Sequence, residues 1–587
     1  MPGAGRVAIG SLLGAVVAAI SAPLIRPFFG VPSGGVGWVT VNQYPKGWDY
    51  AVVALFVACS LAGGVLAGPR AESREPRAPS GSRQPAAWVL ALVVFLFMLF
   101  GHDQPYSLVD MFHDGEHLVP AFVLRDGGRP FADIFHLHGL ATDGGLDALF
   151  MGDPPSLLRS RRMYTLLTAA TVALLVPIAV EVCATAVGMT VAVLLTLAAM
   201  GAGQAMAFPY FRLAPLLLAT YAWLRYARTK RARWLFAAFA SSTMGLLWSL
   251  DTGAYSVAGS AGLAVAGLIA ARRWPSLREV AVVVAAIALP FVVLLAVRAD
   301  IGQFLHDSFV LLPGVTDAAG SLPAPGIWTS QAPRYYGPLV MYGFLLALAF
   351  RLPPPVRWQI VIVVAFSLLL YRTAAGRAGW SHVRYAMPLA GIAATAWIIE
   401  PLMIRRRAAL AVAAALPFLI VFEVGPNVMY GARAVATWRE RQGHDGLVRY
   451  PVPGGRGIYT FPRNANDLAM LDAYLRSFGP EARFLDFSGE RALYYFLQRR
   501  PPVRIPDLNV LSNRAALREA MAQLEAGPPD FVVVAGEPVL RQVDGVTNEQ
   551  RVPELARWID EHYPRRFNIG RFVIAAPTLR ERMKDEG

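Results

Sequence analysis

A chain of 587 residues that is 55% hydrophobic, with a mean hydropathy of +0.44, carries too much apolar surface for an ordinary soluble fold. Its formal charge of +14 is nearly all arginine, since Lys46, Lys230 and Lys584 are the only lysines, and the arginines gather in short groups between apolar runs. That is the positive-inside pattern of a multi-pass membrane protein rather than a nucleic-acid surface, and the two cysteines, Cys59 and Cys183, support neither a disulfide framework nor a zinc site.

The first apolar run, residues 7–25, reads as a retained helix rather than a signal peptide, because Pro23 stands near the would-be cleavage site and a second run, 50–68, follows. Arg70, Arg74, Arg77 and Arg83 then mark a cytoplasmic loop, and a third span, 86–101, delivers the next segment to the extracytoplasmic side. That segment holds five of the nine histidines, His102, His113, His117, His136 and His138, among Asp110, Asp114, Glu116, Asp126, Asp133 and Asp143. Further runs of spanning length follow at 164–180, 184–200, 209–226, 234–250, 255–271, 280–297, 336–350, 358–371, 385–399 and 408–424, with a long loop at 298–331. The basic groups 225–233, 272–278 and 405–407 fall on the same side as 70–83, which supports a count of about thirteen helices with an inward N-terminus and an outward C-terminus. Arg159, Arg161 and Arg162 break the charge rule on the outer side and suggest an interfacial helix.

Three parts are therefore expected: an N-terminal hairpin and cytoplasmic loop (1–85), a transmembrane core (86–424) with an outer loop at 102–162, and a soluble domain (425–587). The last alternates strand 483–487, helices 491–498 and 513–524, strand 530–535, helix 553–562 and strand 571–576, which points to a small extracytoplasmic α/β layer. It has no Walker or dinucleotide fingerprint, and Gly454-Gly455-Arg456-Gly457 is a lone glycine-rich turn. Heavy use of arginine, alanine and glycine suggests a GC-rich bacterium, and hence the bacterial inner membrane.

If the segment after Asp110 is helical, Asp110, His113, Asp114 and His117 share one face, with Glu116 off that stripe and Gly115 able to break the helix. His113 and His117 with either aspartate could hold a divalent ion that His136 and His138 complete. No His-Glu-x-x-His signature is present, so a hydrogen-bonded histidine cluster lining a polar cleft competes with the metal. Tyr106, Phe112, Phe131 and Phe135 are expected to be interfacial anchors or core, with stacking on a sugar as the alternative.

The acidic motif, the short helix, the turn Gly127-Gly128-Arg129-Pro130-Phe131, Asp133 and the His138-Gly139 step together resemble the first large outer loop of GT-C fold glycosyltransferases. Those polytopic enzymes include the protein mannosyltransferase and aminoarabinose transferase relatives and use sugars carried on polyprenyl phosphate. Two departures stand out: two further apolar runs precede the loop, and Asp114-Gly115-Glu116 replaces adjacent acids. The resemblance implies a carboxylate that takes the acceptor hydroxyl's proton, ranked Asp114, then Glu116, then Asp110. It implies cations for the leaving phosphate, drawn from Arg334, Arg372, Arg377, His382 and Arg384, for which interfacial snorkelling is the plainer role. Asp133, His136, His138 and Asp251 become sugar or acceptor contacts. The partners implied are the bilayer, a polyprenyl-phosphate sugar and a glycan, lipid or protein acceptor, with no nucleic acid and no cofactor beyond an optional divalent ion. A transporter or flippase of lipid-linked intermediates, or a noncatalytic envelope-assembly protein, would be built on the same scaffold.

Overall fold

A computed structural model describes residues 4–67, 84–101, 109–201, 210–421, 424–437, 440, 446–536 and 542–578. The arginine loop at 70–83, together with His102 and Tyr106, lies outside the described residues. A backbone in hydrocarbon must satisfy its own polar groups, and each predicted apolar run falls on a helix or a pair of helices. Helices α1 (Ala4–Ile25) and α2 (Gly47–Leu66) form the N-terminal hairpin. They touch backbone to backbone: a Cβ on Gly10 would sit 2.2 Å from the Gly63 carbonyl oxygen and one on Gly14 would sit 1.9 Å from that of Cys59. The Gly10-xxx-Gly14 spacing is thus the small-residue seam that membrane helices use to approach closely.

Helix α3 (Gln84–Gly101) leads to the outer loop with its helix α4 (His113–Arg125). The bundle continues through α5 (Leu157–Ala173), α6 (Leu175–Val182), α7 (Ala186–Met200), α8 (Ala214–Thr229), α9 (Ala232–Trp248), α10 (Leu250–Ala271) and α11 (Leu277–Ala296). It closes with α12 (Ala332–Ala349), α13 (Pro354–Gly376), α14 (Ala390–Ile404) and α15 (Ala408–Val421). Among the described residues, seven helical segments are long and apolar enough to cross a membrane. Several others, such as Ala186–Met200 and Ala390–Ile404, are apolar but shorter, so length and composition alone support seven crossings where the pattern of runs suggests about thirteen. The segment expected as a long loop at 298–331 is corrected: it contains helical turns from Ile301 to Ala318, begun by the Asp300 carboxylate accepting from the Gln303 amide at 2.9 Å.

The C-terminal region contains α16 (Pro462–Arg476), β1 (Phe484–Asp486), α17 (Arg514–Ala526), β2 (Phe531–Ala535), α18 (Pro553–His562), β3 (Arg565–Ile569) and β4 (Phe572–Ala576). The sheet order is β1-β2-β4-β3, with β1 and β2 parallel and the other pairs antiparallel. The helix expected at 491–498 shrinks to Leu493–Phe496. Strand β3 escaped the pattern because Arg-Arg-Phe-Asn-Ile is an edge strand, exposed along most of its length. The outer loop and this region share one core: Leu118, Val119, Val123 and Ile134 pack with Leu493, Phe496 and Phe531. The C-terminal region thus shares a core with the outer loop, while the helical bundle has a core of its own.

Candidate active site at the outer loop

Helix α4 is started by Asp110, whose carboxylate accepts from the amides of Phe112 and His113 at 3.0 and 3.1 Å. Its other oxygen lies 2.6 Å from the His113 Nδ1, and this pair is exposed. One turn on, Asp114 is enclosed: Oδ1 lies 3.3 Å from the His117 Nε2, and Oδ2 accepts from Arg161 at 2.8 Å and from the Asp110 amide at 3.0 Å. Burial disfavours its charge, yet Arg161 and His117 outweigh that and bring its pKa down to about 2. The other ring nitrogen of His117 lies 2.9 Å from buried Asp147, which also accepts from Tyr164 at 2.6 Å and from Ser160. Burial works against the imidazolium, but Asp147 and Asp114 raise its pKa to about 10.

The single face expected for Asp110, His113, Asp114 and His117 is thus split into a solvent pair and an inner pair. His113 and His117 each turn to a different carboxylate, which corrects the expectation that they share a metal. Among the described residues, no three His, Cys, Asp or Glu side chains converge on a metal-sized site.

Glu116 faces the other way. Its Oε1 accepts from the Arg491 Nη2 at 3.2 Å, and its Oε2 lies 3.7 Å from the His138 Nδ1. Arg491, buried in the C-terminal region, also pairs with Asp507 at 2.5 Å and lies 4.4 Å over the Phe112 ring. Gly115 makes this approach possible, because a Cβ there would stand 2.3 Å from the Arg491 Cγ and 2.6 Å from the Ala492 nitrogen. The glycine that interrupts the acidic pair is therefore a docking point.

His138 is held by Asp143, 3.1 Å from its Nδ1, while its own amide donates to the same carboxylate. Burial and Arg212 oppose protonation of His138, but Asp143 and Glu116 prevail and its pKa is raised. His136 is different. It lies against Phe131, with ring centroids 4.7 Å apart, its Nδ1 is 2.8 Å from the Asp143 carbonyl oxygen, and burial lowers its pKa. Asp133 stays outside the cluster, exposed and accepting from the Arg129 amide at 2.6 Å.

Asp251, at the start of α10, pairs with Arg212 at 2.8 Å and accepts from Ser249 at 2.7 Å. His382, in the short helix Trp380–Tyr385, is half-buried, and its pKa is pushed down to about 3 by desolvation, by Arg377 and by Arg212. Arg212, His382, Asp251, His138 and Glu116 thus share one electrostatic neighbourhood.

The other expected phosphate ligands are more dispersed. Arg372 binds Asp317 at 2.5 Å and lies 4.8 Å over the Tyr50 ring, and Arg377 binds Asp544 at 2.6 Å. Arg384 is buried beside Gly201, and Arg334 stands in the first turn of α12. Asp147, Arg212 and Arg491 carry no sequence signal that marks them, and Asp143 and Arg161 stand out in the sequence without a site role. The outward arginines at 159–162 were the available signal for Arg161. Arg491 reaches Glu116 across 375 positions, which no local pattern reveals.

A carboxylate and an imidazole side by side, surrounded by buried guanidinium groups, can accept a proton and hold an anion in one place. No protein-family model matches the chain, and no curated protein matches it in sequence. Solved structures similar to it include two of one protein. The crystal structure of ArnT from Cupriavidus metallidurans bound to undecaprenyl phosphate aligns with a TM-score of 0.45 and 13% identity, over 85% of this chain and 99% of that one. The apo ArnT structure from the same organism aligns with a TM-score of 0.44 and 13% identity, over 84% and 97%.

Proposed function

We propose that this multi-pass membrane protein is a glycosyltransferase that moves a sugar from a polyprenyl-phosphate donor to an extracytoplasmic envelope acceptor, with Glu116 as the general base. The observation that carries this is the contrast between the two acids of the loop. Asp114 is committed to His117 and Arg161 and held near a pKa of about 2, whereas the Oε2 of Glu116 faces His138 at a distance too long for a hydrogen bond. A base that far below neutrality transfers protons poorly, so Asp114 positions its helix instead.

In the proposed reaction the acceptor hydroxyl gives its proton to Glu116 as its oxygen bonds to the anomeric carbon. The bond from that carbon to the phosphate oxygen breaks, and its electron pair leaves with the polyprenyl phosphate. Arg212 and Arg377, whose charges both act on His382, are the groups we assign to the growing phosphate charge. His138, oriented by Asp143, would share the proton taken by Glu116. The bacterial inner membrane, with the outer loop and the C-terminal region on its outer side, is the location this chemistry requires.

The test is transfer of a radiolabelled sugar from its polyprenyl-phosphate carrier to envelope extract in proteoliposomes. Glu116→Gln should lower kcat by about 100-fold or more, as expected for loss of a general base. Full activity in Glu116→Gln would remove the proposed base.

A further inference from the structure

The glycine-rich turn of the C-terminal region has no part in the reaction described above, yet it forms the floor of a cleft of about 770 Å³. The hairpin Val448–Arg449 with Tyr459–Thr460 makes one wall, and Pro154 and Pro155 of the outer loop make the other. Side chains are excluded from the floor by packing: a Cβ on Gly454 would lie 2.5 Å from the Tyr495 carbonyl oxygen, and one on Gly455 would lie 2.0 Å from the Tyr450 Cβ. Gly457 has a φ of +84°, which favours glycine on conformational grounds. The turn is thereby kept low, and the space above it stays open.

The lining has a definite chemistry. It includes Arg449, Arg456 and Arg476 and contains no aspartate or glutamate. Arg476 is shared with Asp472 at 2.7 Å, while Arg449 and Arg456 are exposed and have no carboxylate partner among the described residues. Beside these cations stand flat carbon surfaces: Tyr459, the two prolines, and Tyr450, which is braced by stacking on Phe496 with centroids 4.8 Å apart and planes 8° apart. Rigid aromatic and proline faces suit the CH faces of sugar rings, and guanidinium forks suit carboxylate or phosphate groups. The volume lies within the range of about 300–1,000 Å³ common for small-ligand sites.

We propose that this cleft binds an anionic saccharide. Its position gives the saccharide a role that rests on the transferase function proposed above: that of the acceptor, gripped away from the reacting end. Gly457 lies against Ser156 and Leu158 at the outer start of α5, and the Tyr450 hydroxyl feels the charges of Arg161 and Asp114. A chain held in the cleft is therefore anchored next to the polar cluster that backs Glu116.

The experiment is isothermal titration of the full chain in phosphatidylcholine nanodiscs with tetragalacturonate, with maltotetraose as the neutral counterpart. Tetragalacturonate should bind and maltotetraose should not. Arg449→Gln with Arg456→Gln should weaken tetragalacturonate at least tenfold, while Arg514→Gln, on the outer face of α17, should leave it unchanged. Absence of tetragalacturonate binding, equal binding by the double variant, or equal binding of the neutral sugar would each overturn the proposal. Displacement by inorganic phosphate at equal concentration would also overturn it, leaving a simple anion site. The binding readout is separate from transfer: loss of activity in Glu116→Gln with binding intact leaves the cleft standing, and an empty cleft in a chain that transfers sugar removes only the acceptor site.

Discussion

Asp114 and Glu116 stand two positions apart on one helix, about 200° around its axis, and so meet opposite surroundings. One is a strut between His117 and Arg161; the other faces the polar centre. The strut has a pH signature. His117 has its pKa raised to about 10, so it contributes stability that is fully present below the ordinary histidine value and is lost as pH rises toward that figure. Asp114 has its pKa lowered, so its contribution is present above the ordinary aspartate value and is lost as pH falls toward about 2. His117→Gln should therefore lower the thermal unfolding midpoint at pH 6.5 and should flatten the decline that the native chain shows between pH 6.5 and 10, as followed by tryptophan fluorescence in detergent. An unchanged slope in the variant would remove His117 from that role. The four-residue face was readable from spacing. Its division was not, because Arg161 and Asp147, which pull Asp114 and His117 inward, come from later in the chain.

At the scale of elements, the contact between helix α4 and the C-terminal region is the decisive junction. The Ala492 amide donates to the Met111 carbonyl at 3.0 Å, the Phe135 amide donates to the Arg504 carbonyl at 3.0 Å, and buried Arg504 spans Asp307 at 2.7 Å and Glu519 at 2.6 Å. Gly115→Ala places a methyl group against the Ala492 backbone, so the region must retreat and take Arg491 away from Glu116. Transfer should fall at least tenfold with little change in the helical circular dichroism signal. Unchanged transfer would show that Arg491 is not needed where it stands. Arg504→Ala leaves Asp307 buried without its partner and should cost about 3–5 kcal/mol, a typical value for breaking a buried pair, measured as a lower denaturation midpoint. The apolar runs announced the helices of the bundle and the strand pattern announced β1, β2 and β4. The polar edge strand β3 and the helical turns within 298–331 carry no such periodicity, and the shared core of loop and C-terminal region is a tertiary fact.

For the whole molecule, the bilayer decides which residues are scaffold. A chain whose helices satisfy their own backbones in lipid can hold buried charges only where they pair or face a polar cavity, and Arg212 with Asp251 and Arg491 with Glu116 and Asp507 do so together around the outer loop. Composition pointed to the membrane, but Arg212 in the turn leading into α8 and Arg491 in the C-terminal region lie far apart in the chain, and only the folded chain brings them into the neighbourhood of Glu116 and His138. The central claim is that a lipid-borne phosphate and the Glu116 carboxylate share one cavity. A cryo-EM structure of the full chain in nanodiscs with a polyprenyl monophosphate tests this directly. The phosphate should lie within hydrogen-bonding reach, about 3 Å, of the Arg212 or Arg377 guanidinium, with Glu116 and His138 lining the same space. A phosphate bound elsewhere, with protein closing it off from Glu116, would contradict the account.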